Sequence, residues 1–86
     1  MAEDNEKKIA NEILKLINEY SKSNDKKEIN KKLNQLTNEL SYRKGNSLSI
    51  KLRDVVMALN SFTNAATVGG HFQDLTEFIP DLEEVI

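Results

Sequence analysis

Chemistry in this chain would have to come from few residues. His71 is the only histidine, and Asp74 follows it three positions later. With a serine or threonine hydroxyl these are the residue types of a nucleophile–base–carboxylate triad, but such a triad is defined by geometry that spacing alone does not supply. His71 also follows Gly69-Gly70, where it reads more simply as a capping or surface residue at the start of a last helix. There is no cysteine, so thiolate nucleophiles, soft metal ligands and disulfides are all missing. Asp74, Glu77 and Asp81 would share a helical face only if a helix ran through Pro80, and a solvated acidic face is the plainer reading. Gly69-Gly70 has no lysine after it and lacks the pattern of a phosphate-cradling loop. The residues therefore predict a protein that is not an enzyme, with no catalytic set, no metal site and no cofactor.

Two other features could do work by contact. Lys26, Lys27, Lys31 and Lys32 lie four and five residues apart, on roughly one side of a helix, and form the best basic patch for phosphates of nucleic acid or an anionic lipid surface. Glu28 and Glu39 dilute that patch, which makes an ordinary solvated face the competing reading. At the other end, Phe72, Phe78, Pro80 and Ile86 place much apolar surface on a segment that a proline interrupts. Core packing is the default for such residues, whereas any part left exposed would suit a partner protein, since aromatic anchors dominate interfaces.

The elements that must position these residues are helices. In 86 residues the apolar side chains must converge on one core if the chain is to fold as a single domain. Ile9, Ile13, Leu16, Ile17 and Tyr20 recur at steps of three and four, predicting a first helix from about Asp4 to Ser21, capped by Asp4 or Asn5. Asp25 to Glu28 has capping-box spacing, and Ile29, Leu33, Leu36 and Leu40 then form a narrow seam on a second helix that Gly45 could close. Lys26, Lys27, Lys31, Lys32, Gln35, Asn38 and Glu39 belong largely in water on this reading.

Ser47 or Ser49 caps a third helix running to about Val68, with Leu52, Val55, Val56, Leu59, Phe62 and Ala66 on one face and Ala58 and Ala65 allowing close approach on another. After Asp54 no charged residue appears until Asp74, which predicts a central helix covered on several sides. Gly69-Gly70 breaks the chain, and His71 to Ile86 returns to helical spacing. Proline in a helix interior costs about 3 kcal/mol, so this last helix should kink or break near Phe78, with a short turn beginning at Pro80. No strand alternation, internal repeat or low-complexity tract competes. Short connections make successive helices antiparallel, and the fold class predicted is an all-α, antiparallel four-helix up-and-down bundle occupying residues 1–86 as one domain.

Net charge is −2, divided unevenly: residues 1–44 hold ten Lys/Arg against eight Asp/Glu, and residues 45–86 hold two against six. That balance falls well short of the basic footprint of a nucleic-acid-binding domain. Met1 to Glu6 is polar and acidic where a secretory leader would be basic and then apolar, and no stretch approaches the 20 or so apolar residues of a membrane span, so a cytoplasmic location is expected, with contact to a membrane surface still open.

From Lys7 to Val85 the order of features resembles the immunity proteins that protect lactic-acid bacteria from their own pediocin-like bacteriocins, especially the enterocin A immunity type. The resemblance is carried by Glu6-Lys7-Lys8-Ile9-Ala10-Asn11-Glu12-Ile13 opening the first helix and a lysine-rich second helix with Leu33, Leu36 and Leu40. Ile50-Lys51-Leu52 opening the third and Asp81-Leu82-Glu83-Glu84-Val85 ending the last complete it. It implies a cytosolic antiparallel four-helix bundle that recognises the mannose permease receptor complex when the bacteriocin engages it. It further implies that specificity lies mainly in the C-terminal half, here by position Phe72, Phe78, Pro80 and Ile86. Beside it stand a small nucleic-acid-associated regulator, motivated by the lysine pairs, and a helical interaction adaptor, hairpin dimer or antitoxin.

Overall fold

The structure, a computed structural model, describes residues 4–42 and 48–86, with side chains described for 6–41 and 48–86. The elements are α1 (Asp4–Lys22), α2 (Lys26–Tyr42), α3 (Ile50–Gly69), a 3-10 turn (Thr76–Phe78) and α4 (Ile79–Val85). Each helix neighbours the next, and α4 closes the ring against α1. Hydrogen bonds pair rising numbers on α2 with falling numbers on α3, and Lys51 pairs with Glu84 while Phe62 meets Phe78, so both junctions run antiparallel. The fold is the four-helix antiparallel bundle that the apolar stripes predict.

One core joins all four helices: Ile9, Ile13, Ile17 and Tyr20 from α1, Leu33 and Leu40 from α2, Leu52, Val55, Val56 and Leu59 from α3, and Leu75, Phe78, Leu82 and Val85 at the end. No helix among the described residues is long and apolar enough to cross a membrane.

Local signals hold in some places and fail in others. Ser49 caps α3, its hydroxyl accepting from the Leu52 amide at 3.3 Å. Gly70 ends the same helix in the left-handed region at φ +70°, and its amide donates to the Ala66 carbonyl at 2.7 Å. The caps expected at the side chains of Asp4 or Asn5, and those at Gly45 or Ser47, lie outside what is described. The capping box at Asp25 and Glu28 does not form. Instead the Ser23 hydroxyl accepts the Asp25 amide at 3.0 Å, and the Lys26 ammonium turns back to the Tyr20 carbonyl at 2.7 Å. A cation at the C-terminal end of α1 answers the carbonyls left open there, and that contact draws Lys26 away from the lysine face.

The last segment breaks at Phe78, as Pro80 predicts, with α4 starting at Ile79, and it also begins later than its helical spacing predicts. His71 to Leu75 is not helical; the Tyr20 hydroxyl donates to the Gln73 carbonyl at 2.8 Å, and the Asp74 carboxylate accepts the Thr76 amide at 3.0 Å in a side-chain-closed turn. Only then does α4 begin, and Pro80 falls in its first turn, where a missing N–H leaves nothing unsatisfied.

The seam between α2 and α3 departs furthest from expectation. Leu33-Asn34-Gln35-Leu36-Thr37-Asn38 and Leu59-Asn60-Ser61-Phe62-Thr63-Asn64 are the same hexad with two positions changed, so the chain does contain a short internal repeat. The two copies face each other across a local two-fold axis. Asn34 Nδ2 donates to Thr63 Oγ1 at 2.9 Å and to Asn64 Oδ1 at 2.7 Å; Asn60 Nδ2 donates to Thr37 Oγ1 at 3.1 Å and to Asn38 Oδ1 at 2.6 Å. Asn38 then donates to Asn34 Oδ1 and Asn64 to Asn60 Oδ1, both at 3.2 Å, closing a ring of four side-chain amides. The threonines fix its direction. Each hydroxyl hydrogen is committed to a carbonyl of its own helix, Leu33 for Thr37 and Leu59 for Thr63, leaving only lone pairs for the asparagine amides. Asn38 is therefore drawn into the seam and half-buried, not left in water.

Candidate functional site

One opening among the described residues lies between the first half of α3 and the start of α4. It is an open trough of about 570 Å³ with Val55, Ala58 and Phe78 as its apolar floor and Ile50, Lys51, Asp54 and Asp81 at its rim. Its shape follows from sequence. Phe78 is turned inward by the 3-10 turn and meets Phe62 in a tilted contact, centroids 5.4 Å apart and planes at 60°, while the small Ala58 leaves room beside it. Ile50, the first residue of α3, stays 79% exposed. On the rim, Lys51 is ion-paired with Glu84, whereas the side chains of Asp54 and Asp81 have no hydrogen-bond or ion-pair partner among the described residues.

A second opening of about 400 Å³ sits where the α1–α2 turn meets the stretch before α4, lined by Tyr20, Lys26, Phe72 and Asp74 among others. Its charges are mutually engaged. The Lys26 ammonium lies 4.9 Å from the Tyr20 ring centroid. Burial, reinforced by the nearby Asp74 carboxylate, raises the Tyr20 phenol above its ordinary value. The Asp74 carboxyl is lowered, first by the Thr76 amide and then by the Thr76 hydroxyl, with Lys26 assisting. This corner ties α1 to the final segment. A third opening of about 300 Å³ between α1 and α2 is flanked by Glu12, Lys32 and Glu39.

The residues singled out from sequence do not gather into one patch. Phe78 is buried in the core and floors the trough; Phe72 is half-buried beside Tyr20 in the second opening; Pro80 is exposed on α4; Ile86 is 45% exposed at the chain's last position. Of the four lysines, Lys27, Lys31 and Lys32 are exposed, and Lys26 is held by backbone carbonyls. His71 is exposed and makes no hydrogen bond to Asp74, whose carboxylate is taken by Thr76. Asp74 lies in the non-helical stretch before the 3-10 turn, Glu77 in that turn and Asp81 on α4, so no shared helical face forms from them.

Read along the sequence, Asp81 belongs to a solvated acidic face and Ile50 only opens α3, and nothing there joins either of them with Asp54 in one trough. A signal for Ile50 was available: it falls outside the Leu52, Val55, Val56, Leu59 stripe and so has no place in the core. Comparison of the chain with family models, with curated proteins and with solved structures finds no match.

Proposed function

We propose that the chain is a binding protein of the bacteriocin-immunity kind, which acts by occupying a receptor complex and not by chemistry, with the trough between α3 and α4 as its contact surface. The observation that carries this reading is the trough itself: an apolar floor of Val55, Ala58 and Phe78, open to water, in the C-terminal half of a four-helix antiparallel bundle. That is the half in which the resemblance implies specificity. The partner implied is the mannose permease complex engaged by a pediocin-like bacteriocin, met from the cytoplasmic side.

Expression of the chain in a bacteriocin-sensitive strain tests the reading. Protection against at least one member of a panel of pediocin-like peptides is the expected result, and Ala58→Arg, which fills the trough, should abolish it without unfolding the bundle. Unchanged sensitivity across the panel removes the proposal. The rival reading as a nucleic-acid regulator leans on exposed Lys27, Lys31 and Lys32. It requires retardation of DNA or RNA that fades steeply with salt.

A further inference from the structure

Helix α3 is composed for more burial than the folded chain gives it. No charged residue occurs between Asp54 and Asp74, the pattern of a helix surrounded on several sides. In the bundle, however, α3 packs on α2 and α4 and turns a third side to water. Along that side Met57 is 57% exposed and Val68 is 91% exposed, with Ser61 and Asn64 exposed between them. These positions follow steps of four, three and four, and so form one stripe. Ala65 is exposed beside it, and a Cβ placed on Gly69 would meet nothing within 4 Å. The expectation of a central helix is thus overturned within one chain, while the composition that prompted it remains.

We infer that this uncharged face of α3 is the contact between two copies of the chain, related by a two-fold axis. In such a contact each patch meets itself, so a charged patch would set like against like. The neutral stripe is the part of α3 exempt from that repulsion, in a chain where 30% of residues are charged. The neighbouring amide ring is self-complementary in the same sense. Asn38 and Asn64 each use one amide hydrogen within the ring and keep a second, and each of the four ring oxygens keeps a lone pair, so the two spare donors of one copy find acceptors on the other. Small residues at Ser61, Ala65 and Gly69 let another helix approach closely. A polyanion would need lysine or arginine on the stripe, and the stripe has none.

The area sets the strength. From Met57 to Val68 the stripe runs roughly 17 Å along the helix and about 10 Å across. This is well under the ~800 Å² per partner of a stable interface, so the dimer is a weak, transient one that forms at high protein concentration. The inference does not depend on the function proposed above, which uses a different face.

Sedimentation and amide chemical shifts followed from roughly 20 µM to 2 mM, the range in which weak dimers form, test it. The expected result is a rising mean mass, with concentration-dependent shifts confined to Met57, Ser61, Asn64, Ala65 and Val68. Ala65→Arg and Ala65→Glu should each weaken self-association at least about tenfold with helical circular dichroism unchanged. An equimolar mixture of the two should restore it as a heterodimer. A mass independent of concentration to the top of the range overturns the inference. So do shifts that map to the α3–α4 trough, or failure of the charge-reversed mixture to recover.

Discussion

The seam between α2 and α3 and the seam between α1 and α4 hold the same bundle by different means. On the α1–α4 side the contributions are apolar: Ile9, Ile13 and Ile17 face the segment that buries Leu75, Phe78, Leu82 and Val85. Apolar contact is strong but undirected, since its free energy follows area and barely distinguishes one register from the next. On the α2–α3 side Leu33 and Leu59 are buried too, but beside them Thr37 and Thr63, both fully buried, serve the amide ring. Sliding one helix by a turn against the other would leave these groups unpaired, at about 1–3 kcal/mol for each buried one. The two seams divide the labour. The long helices α2 and α3, joined through seven residues, are fixed in register by polar groups, whereas the seven-residue α4 is fixed by the chain that leads into it and needs only to be held down.

The comparison breaks most visibly at Leu82. This side chain is fully buried on a helix of seven residues, so Leu82→Ala removes much of what keeps α4 in place. A loss of about 2–5 kcal/mol is expected, out of the roughly 4–13 kcal/mol that a chain of this length can possess. Urea unfolding followed by circular dichroism measures it. Should the loss be smaller than that for either threonine substitution below, the apolar seam is not the stronger one.

Next in size are Thr37→Val and Thr63→Val. Valine keeps the shape and removes the hydroxyl that Asn60 or Asn34 donates to, at an expected cost of about 1–2 kcal/mol each. Because the two hexads are related by a local two-fold axis, the two losses should agree within about 0.5 kcal/mol, the margin within which independent sites are comparable. A disparity above about 1 kcal/mol would show that the repeat in sequence is not an equivalence in energy.

How far the sequence disclosed all this depends on what kind of information each feature needs. The stripes of α1 and α2, the Ser49 cap and the break at Gly69-Gly70 were legible because each is settled within a few residues by periodicity or by one backbone conformation. The late start of α4 was not, because what holds His71 to Leu75 out of a helix is the Tyr20 hydroxyl, fifty-three positions away from Gln73. The outer face of α3 was misread because lack of charge reports that something should cover a helix without saying whether it is the same chain. The trough was hidden for a related reason: a groove is a relation between two helices, and Ile50, although off the α3 stripe, does not say which helix stands beside it. The amide ring is the instructive case. Asparagine and threonine scattered along helices read one at a time as solvated positions, but comparing the chain with itself at an offset of 26 aligns Leu33, Asn34, Thr37 and Asn38 with Leu59, Asn60, Thr63 and Asn64. A repeated polar pattern on two adjacent helices is a pairing signal that single-residue propensity discards.

The smallest effects belong to the corner where the apolar seam borrows polar help. Tyr20→Phe keeps the ring and loses the hydrogen bond to the Gln73 carbonyl, at about 1 kcal/mol. Its pH dependence is more telling than its size. Burial holds the Tyr20 phenol above 10.0, so the unfolded chain ionises first as pH rises and the folded chain retains its proton. The stability this group contributes is complete below about pH 10 and is lost as pH climbs through the folded value. The gap between parent and Tyr20→Phe should therefore be flat near neutrality and narrow in alkali.

Asp74 works in the opposite sense. Its carboxyl is held below 3.8, chiefly by the Thr76 amide, so its contribution is present above that value and is lost as pH falls through the lower folded one. Because the Asp74 charge also helps to raise Tyr20, Asp74→Asn should lower the phenol's titration midpoint in an ultraviolet difference titration while leaving burial, the larger cause, in place. A midpoint that returned fully to 10.0 would make charge and not burial the dominant cause, and the corner would then belong with the directed contacts of the α2–α3 seam, not with the apolar side it serves.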